Sequence, residues 1–180
     1  MAAKVRLNKA AVDGLLLAAI TIILSLLTSV SGSKLISVLI WIVKLVATMW
    51  ALYYFMKKNT QLNTAQGITT TTKDSFKYGL VVSLFSVILI AVYTFISLQF
   101  TDIEAAVEQA EQQMGALASS GAGAEYMGWY LNHIESVSVI VILVMYGIWS
   151  IIASGIFAGS TKSPENPFAN TDEITLKEGE

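Results

Sequence analysis

The sequence predicts an all-α polytopic membrane protein, with four transmembrane helices in one bundle and one amphipathic helix outside it. Three observations carry the prediction. Four apolar runs occupy residues 14–30, 35–56, 78–98 and 137–157, and each is long enough to cross a bilayer core, which takes about 20 residues. Lysine and arginine are confined to alternate loops. The chain of 180 residues is 54% hydrophobic and 13% charged, where a soluble domain averages about 45–50% and about 25%. The excess lies in the runs, so residues 1–160 read as one membrane domain. Its spans are expected at about 12–30, 35–56, 77–98 and 130–159, with a flexible cytoplasmic tail over 161–180.

The first span follows Lys4, Arg6 and Lys9 and ends in the small residues Ser29, Ser31, Gly32 and Ser33. That outline is shared with secretory signal peptides, but the apolar run exceeds their usual 7–15 residues and a second span follows at once. A retained span is the expectation. Asp13 opens it, about one turn inside the membrane edge. The second span carries Lys44 near its middle, and Tyr53 and Tyr54 mark its inner interface. The connection 59–74 is threonine-rich, and Asp74 or Ser75 is expected to cap the third span. Beyond that span, residues 102–118 read as a helix. Ile103, Val107, Ala110, Met114 and Leu117 recur at steps of four and three, with Glu and Gln on the other faces, an amphipathic pattern. That apolar stripe is the candidate docking face; covering its own bundle or lying on the membrane are the alternatives. Trp129 and Tyr130 precede the fourth span as interfacial aromatics. The tail holds both prolines, Pro164 and Pro167, and is acidic.

Charge gives the orientation. Lys and Arg near span ends stay in the cytoplasm. Nine of the eleven basic residues lie in the N-terminal segment, the 57–77 connection and the tail; Lys34 alone lies on the other side, and Lys44 is within a span. Both termini are therefore expected in the cytoplasm, with 99–136 external. Each span also bears a stripe of small or hydroxyl residues at helical spacing, including Gly14, Gly79, Ser83, Gly147 and Ser154. Lipid is as apolar as leucine, so helices associate through close packing at small residues. Gly155 and Gly159 form a GxxxG pattern, expected as helix packing within the chain, with a homodimer face as the alternative.

Chemistry is sparse. With no cysteine, disulfides and zinc–thiolate sites are excluded. A single histidine, His133, with scattered carboxylates makes no metal site, and no nucleotide, hydrolase or protease motif is present. No catalytic residue, cofactor, metal or nucleic-acid partner is expected; membrane lipid is. Lys44 is the leading functional candidate, because a charge at mid-span costs at least about 2.5–3.5 kcal/mol and must face the bundle or water. A snorkelling or ion-paired lysine is the plainer reading. Asp13 is its obvious counter-charge, but the axial gap is on the order of 12 Å at 1.5 Å per residue. Helical side chains also lean toward their own N-terminus, which takes Lys44 away from Asp13.

Tyr78-Gly79-Leu80 at the third span, the Tyr93–Asp102 stretch leading to the acidic, Gln-rich helix, and the Lys162-Ser-Pro-Glu-Asn-Pro-Phe168 exit resemble the DUF4199 family of small Bacteroidota membrane proteins over most of the chain. The resemblance implies a four-span protein of the bacterial inner membrane with no established activity. It also implies an accessory role in envelope glycan or lipid assembly, with a membrane-protein partner such as a glycosyltransferase. From the residues, a non-catalytic accessory or scaffold subunit is the first expectation. A small transporter or ion-coupled protein using Lys44 is the second, and an enzyme the third.

Overall fold

The computed structural model describes residues 6–30, 34–100, 129 and 133–164. They form four helices: α1 (Leu7–Val30), α2 (Lys34–Thr64), α3 (Thr72–Leu98) and α4 (Ile134–Ala158). All four are long and apolar enough to cross a membrane. The protein is an all-α membrane protein in which the chain passes up and down the bundle, so one end collects Arg6, Lys9, Lys57, Lys58, Lys73, Lys77 and Lys162. The expected external helix, with Ile103, Val107, Ala110, Met114 and Leu117, lies outside the described residues, as does the tail from 165 onward.

α3 is the centre of the bundle. It packs against α1 on one side and α4 on the other, while α2 leans mainly on α1 and touches α3 and α4 more lightly. The apolar stretch of α3 is 39% buried and that of α2 only 11%. Most of α2 is therefore left to face lipid, and Leu39, Trp41, Val46 and Trp50 are all exposed. The core is Leu17, Leu52, Phe55, Met56, Tyr78 and Val82 with small residues between them.

Two glycines permit the tight contacts. A Cβ at Gly14 would lie 2.6 Å from the Phe85 Cβ and 2.7 Å from the Val82 carbonyl oxygen, so α1 and α3 touch backbone to backbone there. A Cβ at Gly79 would lie 2.7 Å from the Ser154 Oγ and 2.9 Å from the Met56 Sδ, where α2, α3 and α4 converge. Ser83 is also buried, 3% exposed, as a packing position should be. The remaining expected packing glycines differ. Nothing among the described residues lies within 4 Å of a Cβ at Gly147 or Gly159, and only Phe76 approaches Gly155, at 3.9 Å. The GxxxG face points away from the bundle because Ser154 and Ala158, one residue before each glycine, take the inward positions.

The connection between α2 and α3 is shorter than its composition suggests. α2 runs eight residues past Met56, because Asn59, Thr60 and Asn63 share one helix face and that face is buried. A turn at Gly67, with φ of 70°, closes it. The cap of α3 is Thr71 rather than Asp74 or Ser75. The Thr71 hydroxyl accepts from the Asp74 N–H at 3.2 Å while Asp74 accepts from the Thr71 N–H, a reciprocal capping box. Thr71→Ala is expected to cost about 1 kcal/mol, read as a lower thermal midpoint in detergent with an unchanged helical circular-dichroism spectrum.

Candidate functional site

Three polar constellations interrupt the apolar bundle. At the lysine-rich end, Lys9 and Asp13 stand one turn apart on α1 and form an ion pair. Asp13 is 7% exposed and also accepts a hydrogen bond from the Tyr78 hydroxyl of α3 at 2.5 Å. The Lys9 Nζ donates to that hydroxyl at 3.0 Å and lies 5.3 Å from the centre of the Tyr78 ring. Asp13 is thus fully engaged without Lys44, and Arg6 reaches Gln66 of the α2–α3 turn nearby. Such a closed set of partners is what a buried charge requires.

The second constellation ties the same end together through hydroxyls. Thr60 donates to the Thr161 carbonyl at 2.5 Å, and the Thr161 and Ser75 hydroxyls meet at 2.5 Å. Ser163 pairs with Thr70 through both backbone and side chain, its Oγ accepting from the Thr70 N–H at 2.9 Å. The Asn63 amide donates to the Thr70 hydroxyl at 3.1 Å. These contacts, with the edge-to-face pair of Tyr53 and Phe157 at 5.5 Å, hold α2 against α4 at this end.

Farther along the helices the two walls enclose space. A cavity of about 410 Å³ is lined by all four helices, and it reaches the bundle surface at the exposed Trp41 of α2 and Met145 of α4. Its one charged lining residue is Lys44. The Lys44 amine donates to the Ser25 hydroxyl of α1 at 3.0 Å. Ser25 lies twelve residues beyond Asp13 on α1, about 18 Å along the axis. The lean of Lys44 toward the N-terminus of α2 therefore carries it away from Asp13, and the two do not pair. Among the described residues, the ion pair of Lys9 and Asp13 takes up the only carboxylate of the α1 segment.

The cavity floor is polar in a specific way. Thr21, Thr48 and Ser150 spend their donors on carbonyls of their own helices, at 2.9, 2.9 and 2.6 Å. Ser83 and Ser86 of α3 are each 3% exposed, line the cavity, and have no hydrogen-bond partner among the described residues. Such hydroxyls normally find a partner when buried. The Lys44 amine and the two α3 hydroxyls line an otherwise apolar space at different heights, the serines level with Gly14 of α1 and the amine at Ser25, about 16 Å farther along, and its walls include Leu45, Val87, Ile90 and Trp149.

Comparison with protein-family models, with curated proteins and with solved structures finds no match to this chain.

Lys44 and Ser83 both line the cavity, at different heights, whereas Asp13, Gly79 and the three α4 glycines lie outside its lining. His133 is exposed at the start of α4, stacked on Trp129 at 4.9 Å with its Nδ1 2.8 Å from the Trp129 carbonyl oxygen. Sequence reasoning missed Lys9 and Tyr78 as partners of Asp13. The i, i+4 spacing of Lys9 and Asp13 was the available signal. It also treated Ser83 as packing alone, where the structure makes it part of the cavity lining.

Proposed function

We propose that this protein is a non-catalytic accessory protein of a bacterial inner membrane that holds a hydrophobic ligand in the cavity between α2 and α4. The single observation that carries the reading is the apolar cavity of about 410 Å³ with Lys44 and the unspent Ser83 and Ser86 hydroxyls in it. Ligand sites are typically concave and mostly apolar, roughly 300–1,000 Å³. The described lining has hydroxyls and one amine but no carboxylate, histidine or thiol, a set suited to holding rather than to general-base chemistry. Both termini and the lysine-rich end face the cytoplasm in this reading, as positive charge favours. The resemblance to the DUF4199 family supports a place in envelope glycan or lipid assembly, with a glycosyltransferase or another membrane protein as partner. The exposed Gly155 and Gly159 leave a small-residue face for a homodimer.

The test is native mass spectrometry of protein extracted in mild detergent. Wild type should retain a hydrophobic ligand at one per chain. Thr48→Trp, which fills the cavity from the loosely packed α2, should lose it. Identical ligand-free spectra from both would sink the reading. Lys44→Met should also lose the ligand, yet with an equal or higher thermal midpoint, because it removes a charge whose placement at mid-span costs about 2.5–3.5 kcal/mol.

A second reading, transport, is favoured by one feature. α2 and α4 are joined at the lysine-rich end while the cavity reaches the bundle surface beyond it, as in a carrier open to one side. Ligand flux into proteoliposomes that Lys44→Met leaves unchanged would remove it.

A further inference from the structure

We infer that the outward face of α2 at the lysine-rich end is a binding site for an anionic phospholipid, its phosphate held by Lys57 and Lys58 over the rings of Tyr53 and Tyr54. None of these residues lines the cavity between α2 and α4, so the site stands apart from the ligand-holding reading.

The site is a groove on one helix, and rings stiffen it. Trp50, Tyr53, Tyr54, Lys57, Lys58 and Gln61 line it together. Tyr53 packs edge-to-face on Phe157 of α4 at 5.5 Å. Tyr54 stacks on Trp50 at 5.7 Å and meets Phe55 edge-on at 5.8 Å. Lys57 lies over the Tyr53 ring and Lys58 over the Tyr54 ring, each Nζ 5.7 Å from the ring centre. The two lysines are neighbours, with Cα atoms about 3.8 Å apart, so a headgroup in the groove sits between two long, flexible cations.

Depth selects the kind of occupant. Lys57 and Lys58 directly follow Met56, the last residue of the apolar run. They therefore enter the polar layer of one leaflet, about 5–8 Å thick, where lipid phosphates lie. Helical side chains lean toward their own N-terminus, and in α2 that direction runs into the membrane. Both amines accordingly fold back over rings one turn deeper, opposite to the direction a snorkelling lysine takes. Trp50 lies about 11 Å deeper than Lys57 at 1.5 Å per residue, at the level of the acyl chains, and is exposed, as is Tyr54.

Charge selects its sign. A ring face attracts an amine but carries no net charge, so the rings place the amines without neutralising them. α2 contains no Asp or Glu, and among the described residues no carboxylate lies within 4 Å of either amine. Elsewhere at the same end, Lys9 is paired with Asp13 and Arg6 with Gln66. A second copy of this chain would bring lysines to lysines, and a zwitterionic headgroup brings its own ammonium. A headgroup with net negative charge meets neither repulsion, and the charged phosphate oxygens accept from both amines.

The experiment uses the full chain in nanodiscs of phosphatidylcholine, with Trp50 as the reporter and Trp41, Trp129 and Trp149 changed to Phe. Dibrominated phosphatidylglycerol should quench Trp50 saturably at about 25-fold lower mole fraction than dibrominated phosphatidylcholine, because two lysines near anionic lipid contribute roughly fivefold each. Lys57→Gln with Lys58→Gln should bring the two curves together, and Lys57→Arg with Lys58→Arg should keep them apart. Lys73→Gln with Lys77→Gln removes the same charge from the start of α3 at the same end and should leave most of the separation. All four lysines are exposed, so each variant should keep its helical circular-dichroism spectrum. Equal losses from the two Gln pairs would replace the site with the diffuse field of the whole end and overturn the inference. Equal quenching by the two lipids in the protein with all its lysines would overturn the anionic assignment. A photocrosslinker at Gln61 that captures protein rather than phospholipid in native membranes would overturn the inference in favour of an acidic protein partner.

Discussion

Gly14→Leu should be one of the two most damaging single changes in the bundle. Its Cβ alone would stand 2.6 Å from the Phe85 Cβ and 2.7 Å from the Val82 carbonyl oxygen, both closer than atoms pack. One of those is backbone inside a helix, so no rotamer change relieves it and α1 must move away from α3. Overpacking of this kind costs on the order of 1–3 kcal/mol, and the separation also opens the contact that positions Asp13 against Tyr78. The expected readouts are a thermal midpoint in detergent several degrees lower and partial aggregation on extraction. Gly147→Ala is the matched control, since nothing among the described residues meets a Cβ there, and it should change stability by less than about 0.5 kcal/mol. If the two substitutions behave alike, the close approach of α1 and α3 is not what holds these helices.

Asp13→Ala should have an effect of similar size. The carboxylate is 7% exposed, accepts from Tyr78 at 2.5 Å and neutralises Lys9. Its loss leaves the Tyr78 hydroxyl sharing a lone amine, with Tyr78 itself 1% exposed. Breaking a fully buried ion pair costs about 3–5 kcal/mol. Lys9, whose side chain is 19% exposed, can swing outward and recover part of that, so roughly 2–3 kcal/mol is expected. The double change Asp13→Ala with Tyr78→Phe should be milder than the sum of the two single changes, because the second removes the hydroxyl that the first strands. Strict additivity would show that the two side chains are not coupled.

How far the sequence reached depended on how local the signal was. The four spans were legible because the bilayer imposes one length and one solvent on each. The direction of Lys44 was legible from helix geometry alone. The glycines were not separable. Gly14 and Gly159 look equivalent as letters, and only the neighbouring helix decides that one is at a contact and the other is not. The end of α2 was hidden by its polar composition, although Asn59, Thr60 and Asn63 fall on one helical face. The partner of Asp13 on α3 is 65 positions away, and no periodicity reports a pairing at that distance. The cavity escaped for the same reason. Ser83 reads as a packing residue, and nothing local in the sequence reports the light contact of α2 with α3 and α4 that leaves a cavity beside it.

The hydroxyl contacts of Thr161 and Ser163 also set an order of events during synthesis. Thr60, Thr70 and Ser75 leave the ribosome long before their partners, which lie 86 to 101 positions later for the Thr161 pairs. Until α4 has been inserted, the nascent three-helix intermediate carries unsatisfied donors at its lysine-rich end. Joining the last helix satisfies them in one step, so the finished chain is marked off chemically from the unfinished one. A chain stopped before Thr161 would keep that polar surface open, and membrane proteases that survey exposed polar groups would have a feature by which to recognise it.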